Sequence, residues 1–388
     1  MESIKSRYNS KYIVAYLIGI VCSFLASVFL LEILIFGSFL FWLFEKNSEK
    51  KKSIDIFVII VVLFYSVRLL SAVISGFHHE AWVVIYKESL LYVGIFPLSF
   101  YFKTLSLKNK SLVFKYLIYV GLFFALFGIL KFNLANLERA DSLTSGPGTF
   151  SNFLTIVLVI FLMYPVELNK KFNKYFLPIQ ISIFFTAIVL SFVRTNLAII
   201  IIFVLLSLVL KRIRFSNVLI AVVLTLIISY VSISNNGYYY SKISTDPYFL
   251  SNRDIIWSGA AMIWHQAPII GHGPGSFQKI FPLWESLTDK GVSNWHNEYI
   301  QMYMEGGILG LVMFFLFFVI IFVKWKKYWV HAKKTVFEKD IVTAFLCGFI
   351  ALLFIGVTSC FIPSVVFTGF FAFMLAFYSI LLIDYQNG

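Results

Sequence analysis

Long apolar runs, repeated along the whole chain, constrain this sequence more than any other feature. They recur in lengths of about 17 to 25 residues, which a helix needs to cross a bilayer. The composition agrees, because 60% of the 388 residues are hydrophobic and the mean hydropathy is +0.87. A backbone inside lipid must satisfy its own hydrogen bonds, so each run is predicted to be a helix. The sequence therefore predicts an all-α polytopic membrane protein and excludes a soluble globular domain.

About twelve transmembrane spans are predicted. A single helix over the first apolar run, 12–44, would be about 50 Å long, so two short spans with a tight turn near 23–27 are expected there. One long span would instead give eleven spans and an external N-terminus, which the basic loop at 45–53 argues against. The other ten spans are predicted at 54–75, 83–102, 112–132, 151–166, 175–193, 195–210, 216–233, 296–322, 341–359 and 363–383.

The positions of the basic residues predict the orientation. Most of the 32 Lys and Arg residues lie in segments that a cytoplasmic N-terminus places inside, including 323–340. This bias is typical of cytoplasmic loops, so both termini are expected in the cytoplasm. The net charge of +13 then reflects topology and contact with anionic membrane lipids, and no nucleic-acid partner is predicted.

Three segments follow from this layout. Residues 1–233 are predicted to form an N-terminal bundle of about nine spans, and 296–388 a C-terminal bundle of about three. Between them, 234–295 is predicted to be one large external loop, where polar residues concentrate. Within the loop, 253–264 reads as a short amphipathic helix at the membrane surface, with Ser251 at a capping position.

Three basic side chains from separate segments are predicted on the outer side. Arg194 lies in a turn between two spans, Arg253 starts the short helix, and His296 begins a span at a helix N-terminus whose free N–H groups suit a phosphate. Guanidinium suits phosphate, and an imidazole can accept a proton near neutral pH. Together they suit a lipid pyrophosphate, with two cations on the leaving group and one base on an acceptor hydroxyl. Each also has a simpler explanation, as a helix anchor, a solvated helix start or an interfacial histidine.

Five further residues are candidates for supporting roles. Arg139 could add positive charge from a loop, although a solvated loop explains it equally. His272, in a Gly-His-Gly-Pro-Gly turn, reads as structural more than catalytic. Asn297 and Glu298 directly follow His296. Glu305 is an intramembrane acid beside Gly306-Gly307, a pair that marks either a kink or a close helix contact.

Other charged residues carry weaker hypotheses. Glu32 and Arg68 lie in predicted spans and are expected to face the bundle interior, and an ion pair between them stays open. His78, His79 and Glu80 are adjacent and cannot easily face one ion, so no metal site is predicted.

The motifs around these residues resemble the O-antigen ligase and O-antigen polymerase family. The most specific block is 296–310, where His-Asn leads to Gly-x-x-Gly inside a span. Ser191-Phe-Val-Arg-Thr-Asn196, Arg253-Asp-Ile-Ile-Trp257 and the blocks at 268–277 and 146–152 are similar to further family motifs. The similarity covers mainly residues 140–310.

The resemblance implies a GT-C-like fold and a metal-independent, inverting glycosyltransferase without a cofactor, in the bacterial inner (plasma) membrane with its site on the periplasmic or external face. The donor would be a glycan on undecaprenyl pyrophosphate. The acceptor would be a sugar hydroxyl, on lipid A–core for a ligase or on another lipid-linked repeat unit for a polymerase. By motif matching, Arg194 and Arg253 fall on pyrophosphate-binding arginines and His296 on the proposed base.

A polysaccharide transporter or flippase is the alternative from another class. It predicts charged residues near the midplane, beside paired broken helices. The candidate residues instead fall at the predicted outer boundary, which favours the enzyme.

Overall fold

A computed structural model describes residues 10–46, 50–51, 53–143, 145–164, 173–236, 253–266, 269–290, 292–331 and 336–383. These residues contain no β-strand, which confirms the all-α prediction. The α-helices are α1 (Ser10–Ala26), α2 (Val28–Leu43), α3 (Ile56–Ile74), α4 (His78–Thr104), α5 (Leu107–Leu134), α6 (Pro147–Met163), α7 (Asn173–Leu190), α8 (Arg194–Val209), α9 (Phe215–Ser234), α10 (Arg253–Ile263), α11 (Phe277–Ile280), α12 (Glu298–His331), α13 (Val336–Gly356) and α14 (Val365–Ile383).

Seven of the described helices are long and apolar enough to cross a membrane, by length and composition. They are α3, α4, α5, α9, α12, α13 and α14, and α1, α2, α6, α7 and α8 are shorter apolar helices. The chain is therefore a membrane protein. The count of twelve spans, the external location of the loop and the division at 233 and 295 stay predictions.

The first apolar run forms two helices that fold back on each other. Only Ser27 separates α1 from α2, and its hydroxyl accepts the Leu30 N–H at 3.2 Å. The Tyr16 hydroxyl donates to the Leu34 carbonyl at 3.5 Å. In one continuous helix these two residues would be about 27 Å apart. The predicted tight turn near 23–27 is confirmed.

Helix α12 extends beyond the predicted span at 296–322. It continues through Lys324, Lys326 and Lys327 to His331, into the segment 323–340 that connects two predicted spans. Lysine is a good helix former, so a helix can continue past its apolar segment when its last turns carry lysines.

The described residues pack into two compact units. The first unit takes its residues from Met1–Leu34, Thr104–Asp246 and His331–Ile355. Its central helix is α6, in which every residue from Phe150 to Met163 is buried. A helix that is apolar on all sides belongs inside a bundle. Around it, α8 packs on α6, α7 contacts both α5 and α9, and α1 packs on α5.

The second unit takes its residues from Ile35–Lys103, Pro247–Val330 and Gly356–Gly388. It contains α3, α4, α10, α11, α12 and α14. The buried face of α10 joins a small apolar core, which consists of Ile256, Ala260, Ile263, Phe277, Phe281, Leu287, Val292, Trp295 and Met304. The predicted short helix is thus confirmed, and its inner face packs on the beginning of α12. Ser251, its predicted cap, lies outside the described residues.

Candidate active site

The N-terminus of α12 is capped by Asn297. Its Oδ1 accepts the N–H groups of Tyr299 at 2.9 Å and Ile300 at 3.0 Å. Asparagine is among the most favourable N-cap residues. The cap has a consequence for the predicted phosphate contact, because two of the N–H groups expected to be free are already bonded. Asn297 therefore starts the helix, and the helix begins at Glu298 rather than at His296.

His296 lies immediately before the cap in a constrained backbone conformation. Its φ is +46°, in the left-handed region, which costs an ordinary residue about 1–2 kcal/mol. Its N–H donates to Asn294 Oδ1 at 2.9 Å. The preceding Trp295 is fully buried, with its ring 4.9 Å from Phe277 and 5.9 Å from Phe281. These contacts hold the His296 backbone in place, and such strain is concentrated at functional sites.

Arg253 acts electrostatically on His296. Burial and, secondarily, the positive charge of Arg253 lower the pKa of His296 to about 4. The imidazole is therefore neutral at pH 7 and has a free lone pair for a proton. Arg253 and His296, two of the three basic residues predicted for the site, thus interact electrostatically.

Three candidate side chains hold one loop that the sequence interpretation missed. This loop, 357–362, follows α13. Arg253 Nη2 donates to the carbonyl of residue 358 at 3.1 Å, and Asn297 Nδ2 to that of residue 357 at 3.0 Å. Glu298 is fully buried, and its Oε2 accepts two backbone N–H groups of the loop. Residues 357–359 were assigned to the predicted span 341–359, and Cys360, Phe361 and Ile362 are not a polar segment, so the sequence pattern did not mark this loop.

The backbone of His272 helps to fix the glycine-rich loop 269–275. Its N–H donates to the Met304 carbonyl at 2.8 Å, and the Gly273 N–H donates to the Glu305 carbonyl at 3.1 Å. At Gly271, with φ +74°, a Cβ would lie 2.4 Å from the backbone of Glu305, so only glycine fits. The predicted tight turn is confirmed. Burial lowers the pKa of His272.

Glu305 belongs to a buried ion cluster. Arg68 Nη2 donates to Glu305 at 2.9 Å and also to Glu88, while Arg68 Nε donates to Glu88 at 3.2 Å. All three side chains are buried. The open question of a pair with Glu32 is resolved, because the carboxylate partners of Arg68 are Glu88 and Glu305. Sequence reasoning missed Glu88, although an acid inside a predicted span was a visible signal.

Arg194 is the first residue of α8, in the first unit, and it is exposed. The turn before it is fixed by the segment that carries Arg139. Arg139 Nε donates to the Ser191 carbonyl at 2.7 Å, and the Ala140 N–H donates to the Leu190 carbonyl at 2.8 Å. Arg139 thus supports the turn that carries Arg194. The grouping of Arg194 with the residues of the second unit stays a prediction.

Asn196 connects two of the motif blocks. Its buried Nδ2 donates to Ser151 Oγ at 2.7 Å and to Asn152 Oδ1 at 2.9 Å. Residues 191–196 and 146–152 therefore meet through side-chain hydrogen bonds, since buried amides need partners. Sequence reasoning noticed both blocks but not the bond between them.

Among the residues whose placement is described, no group of three or more His, Cys, Asp or Glu side chains is arranged to hold a metal. Glu80, beside the His78-His79 pair, instead forms an ion pair of 3.2 Å with Lys279.

Comparison with known proteins gives one match. Residues 179–315 match the family model described as O-antigen ligase, which covers less than half of the chain. The matched segment includes Arg194, Arg253, His296 and Glu305, and it leaves out Arg139. A search of curated proteins finds no significant match. The match confirms the family resemblance and indicates a membrane enzyme of the ligase or polymerase type.

Proposed function

We propose that this chain, which carries an O-antigen ligase family domain over residues 179–315, transfers a glycan from undecaprenyl pyrophosphate to an acceptor sugar hydroxyl at the outer face of the bacterial inner membrane. The acceptor oxygen forms a bond to the anomeric carbon, the bond from that carbon to the pyrophosphate oxygen breaks, and the configuration inverts. The lipid pyrophosphate leaves as an anion. The observation that carries this proposal is that Arg253 and Asn297, the residue after His296, bond the same loop at 357–362, with Arg253 and His296 both inside the matched segment.

His296 is proposed as the general base. The acceptor hydroxyl gives its proton to the imidazole as its oxygen attacks. In the free enzyme, before the donor binds, the imidazole of His296 is a weak base, because burial and the cation of Arg253 oppose its protonation. A pyrophosphate on Arg253 neutralises that cation and so raises the proton affinity of His296 when the donor is bound.

Arg253 and Arg194 are proposed as the pyrophosphate-binding residues. A guanidinium can bind phosphate oxygens in a bidentate fashion and neutralise charge that develops on the leaving group. For Arg253 the support is its position at the start of α10 and its effect on His296. For Arg194 the support is the motif match and the exposed position on a fixed turn.

The proposal has two forms, which differ in the acceptor. The ligase form, which we adopt, uses lipid A–core, and the polymerase form uses a second lipid-linked repeat unit. Supplying purified protein with the donor and each acceptor in turn distinguishes them by the product formed. Transfer to lipid A–core alone supports the ligase form, and transfer to a lipid-linked repeat alone replaces it with the polymerase form.

The site residues are tested by binding and by transfer. Arg194→Gln and Arg253→Gln should bind the donor lipid more weakly than wild type, and His296→Asn should bind it normally but transfer little. Asparagine is the right replacement at 296 because it tolerates a positive φ better than alanine. Lys279→Gln, which removes an exposed ion pair, is the matched control. Normal donor binding in both arginine variants would remove the pyrophosphate assignment.

Transport is the second candidate, and one observation favours it. Helix α12 is broken at Gly307, with φ 64° and ψ −164°, beside the buried cluster of Arg68, Glu88 and Glu305. Transporter sites combine broken helices with intramembrane charges. Movement of the lipid-linked glycan across proteoliposome membranes, without transfer to any acceptor, would support this candidate over the enzyme.

A further inference from the structure

Helix α12 cannot complete its own hydrogen bonding at its break. Gly307 has φ 64°, and its Cα approaches the chain at residue 269 so closely that a Cβ would lie 2.1 Å from the Ile269 carbonyl oxygen. The glycine-rich loop supplies the missing partners. The N–H groups of His272 and Gly273 bond the carbonyls of residues 304 and 305, and the Ile269 carbonyl accepts the N–H of residue 309 at 3.3 Å. The break and the loop therefore form one interdependent structure.

Helix α3 holds this structure through its backbone. The Ser71 hydroxyl donates to the Glu305 carbonyl at 2.6 Å, and the Ser75 hydroxyl donates to the His272 carbonyl at 2.9 Å. One turn away on the same helix, Arg68 bonds the Glu305 carboxylate. The other oxygen of that carboxylate accepts the Gly275 N–H at 3.0 Å. Glu305 is thus fixed by the loop on one side and by Arg68 on the other.

Arg68 is itself fixed by a second carboxylate. Glu88 on α4 accepts its Nε and Nη2, and the Tyr92 hydroxyl donates to Glu88 as well. A planar guanidinium with several simultaneous partners has one orientation, which a lysine ammonium cannot reproduce. One side chain thereby ties α3, α4, α12 and the glycine-rich loop together. Glu298, the first residue of α12, lies about 10 Å along the helix from Glu305, and the proposed base His296 lies two residues before Glu298.

We propose that Arg68 is a positioning residue of the reaction, which holds α12 through Glu305 so that His296 meets the acceptor. This proposal rests on the proposed function. Arg68 does not touch the reacting atoms. Its loss moves the first turns of α12, which directly follow the base, so kcat falls while donor binding at Arg253 is retained. Misplacement of a base by about 1 Å can cost about 100-fold in rate.

Two measurements test the proposal. The variants are Arg68→Lys and Arg68→Met, and Lys279→Gln is the control. Transfer kinetics should show a kcat lowered by about 100-fold for Arg68→Met, a smaller loss for Arg68→Lys, and an unchanged donor Kd. Hydrogen exchange should accelerate in peptides covering 269–277 and 298–310 in both Arg68 variants, and not in Lys279→Gln. Unchanged exchange in folded Arg68→Met would overturn the proposal whatever the enzymatic activity. If wild type transfers no glycan, the proposed function fails, and with it the role of Arg68 in transfer.

A charge-free variant separates positioning from stability. Removing a whole buried ion cluster avoids leaving unpaired charges, so Arg68→Met/Glu88→Gln/Glu305→Gln should recover thermal stability relative to Arg68→Met alone. If Arg68 positions α12, kcat should stay low in this folded triple variant, because no guanidinium orients the side chain of residue 305. Recovery of kcat together with Tm would show that the cluster contributes stability only, and the proposal would be wrong.

Discussion

The pH dependence of transfer gives the sharpest test of His296 as the base. The acid limb of kcat/KM reports the base in the free enzyme. With the pKa of His296 near 4, about a tenth of the imidazoles are protonated at pH 5, so kcat/KM should fall by only about 10% between pH 7 and pH 5. An imidazole with the ordinary pKa of 6.5 would lose about 25-fold over the same interval.

Binding of the donor should shift the acid limb of the pH profile. Once the pyrophosphate neutralises Arg253, the pKa of His296 rises, so the acid limb of kcat should lie at higher pH than that of kcat/KM. Arg253→Gln removes the cation but not the burial. Its kcat/KM limb should therefore move upward from pH 4 while staying below pH 6.5.

The assay measures glycan transfer by purified protein from pH 4.5 to 8, with the folded fraction checked at each pH. That check is needed because the pKa of His296 is lower in the folded state, so protons favour unfolding as pH falls from about 6.5 to about 4. His265→Asn, which changes an exposed histidine, is the control and should reproduce the wild-type profile. A wild-type limb near pH 6.5, or an identical limb in Arg253→Gln, would refute this account of the base.

Three further substitutions test the structural framework by thermal or denaturant unfolding. Asn297→Ala removes the cap of α12 and should cost about 1 kcal/mol, and full stability would contradict the cap. Gly271→Ala places a Cβ against Glu305 and should prevent correct folding, whereas Gly146→Ala, with open space around it, should be tolerated. Asn196→Ala leaves Ser151 and Asn152 buried without this hydrogen-bond partner and should lower the free energy of unfolding by about 1–3 kcal/mol. An unchanged unfolding midpoint would argue against those bonds.

Much of the fold could be predicted because a lipid environment leaves few choices. Apolar length and the demand for internal hydrogen bonds predict helices, and the excess length of 12–44 predicts a break, which lies at Ser27. The end of α12 could not be predicted, because composition marks where a membrane span ends and not where a helix ends. Lysines that terminate the apolar run continue the helix to His331.

The candidate site was predictable in its residue types and not in its contacts. Local sequence gave His296 and Arg253, and the structure places them in one electrostatic environment. It could not give the loop at 357–362, whose partners lie at least 60 residues away in the chain. Nor could it pair Arg68 with Glu305, which are 237 residues apart. Such partnerships depend on how helices pack, and single-sequence periodicity contains no information about that.

Transfer by purified wild-type protein in liposomes tests the central claim most directly. The measurement follows the acceptor and the donor lipid together by mass spectrometry. The account predicts one released undecaprenyl pyrophosphate for each glycan added to the acceptor, with the acceptor bond formed in wild type and nearly absent in His296→Asn. Intact donor with an unmodified acceptor in folded wild-type protein, under conditions where the donor binds, would contradict it.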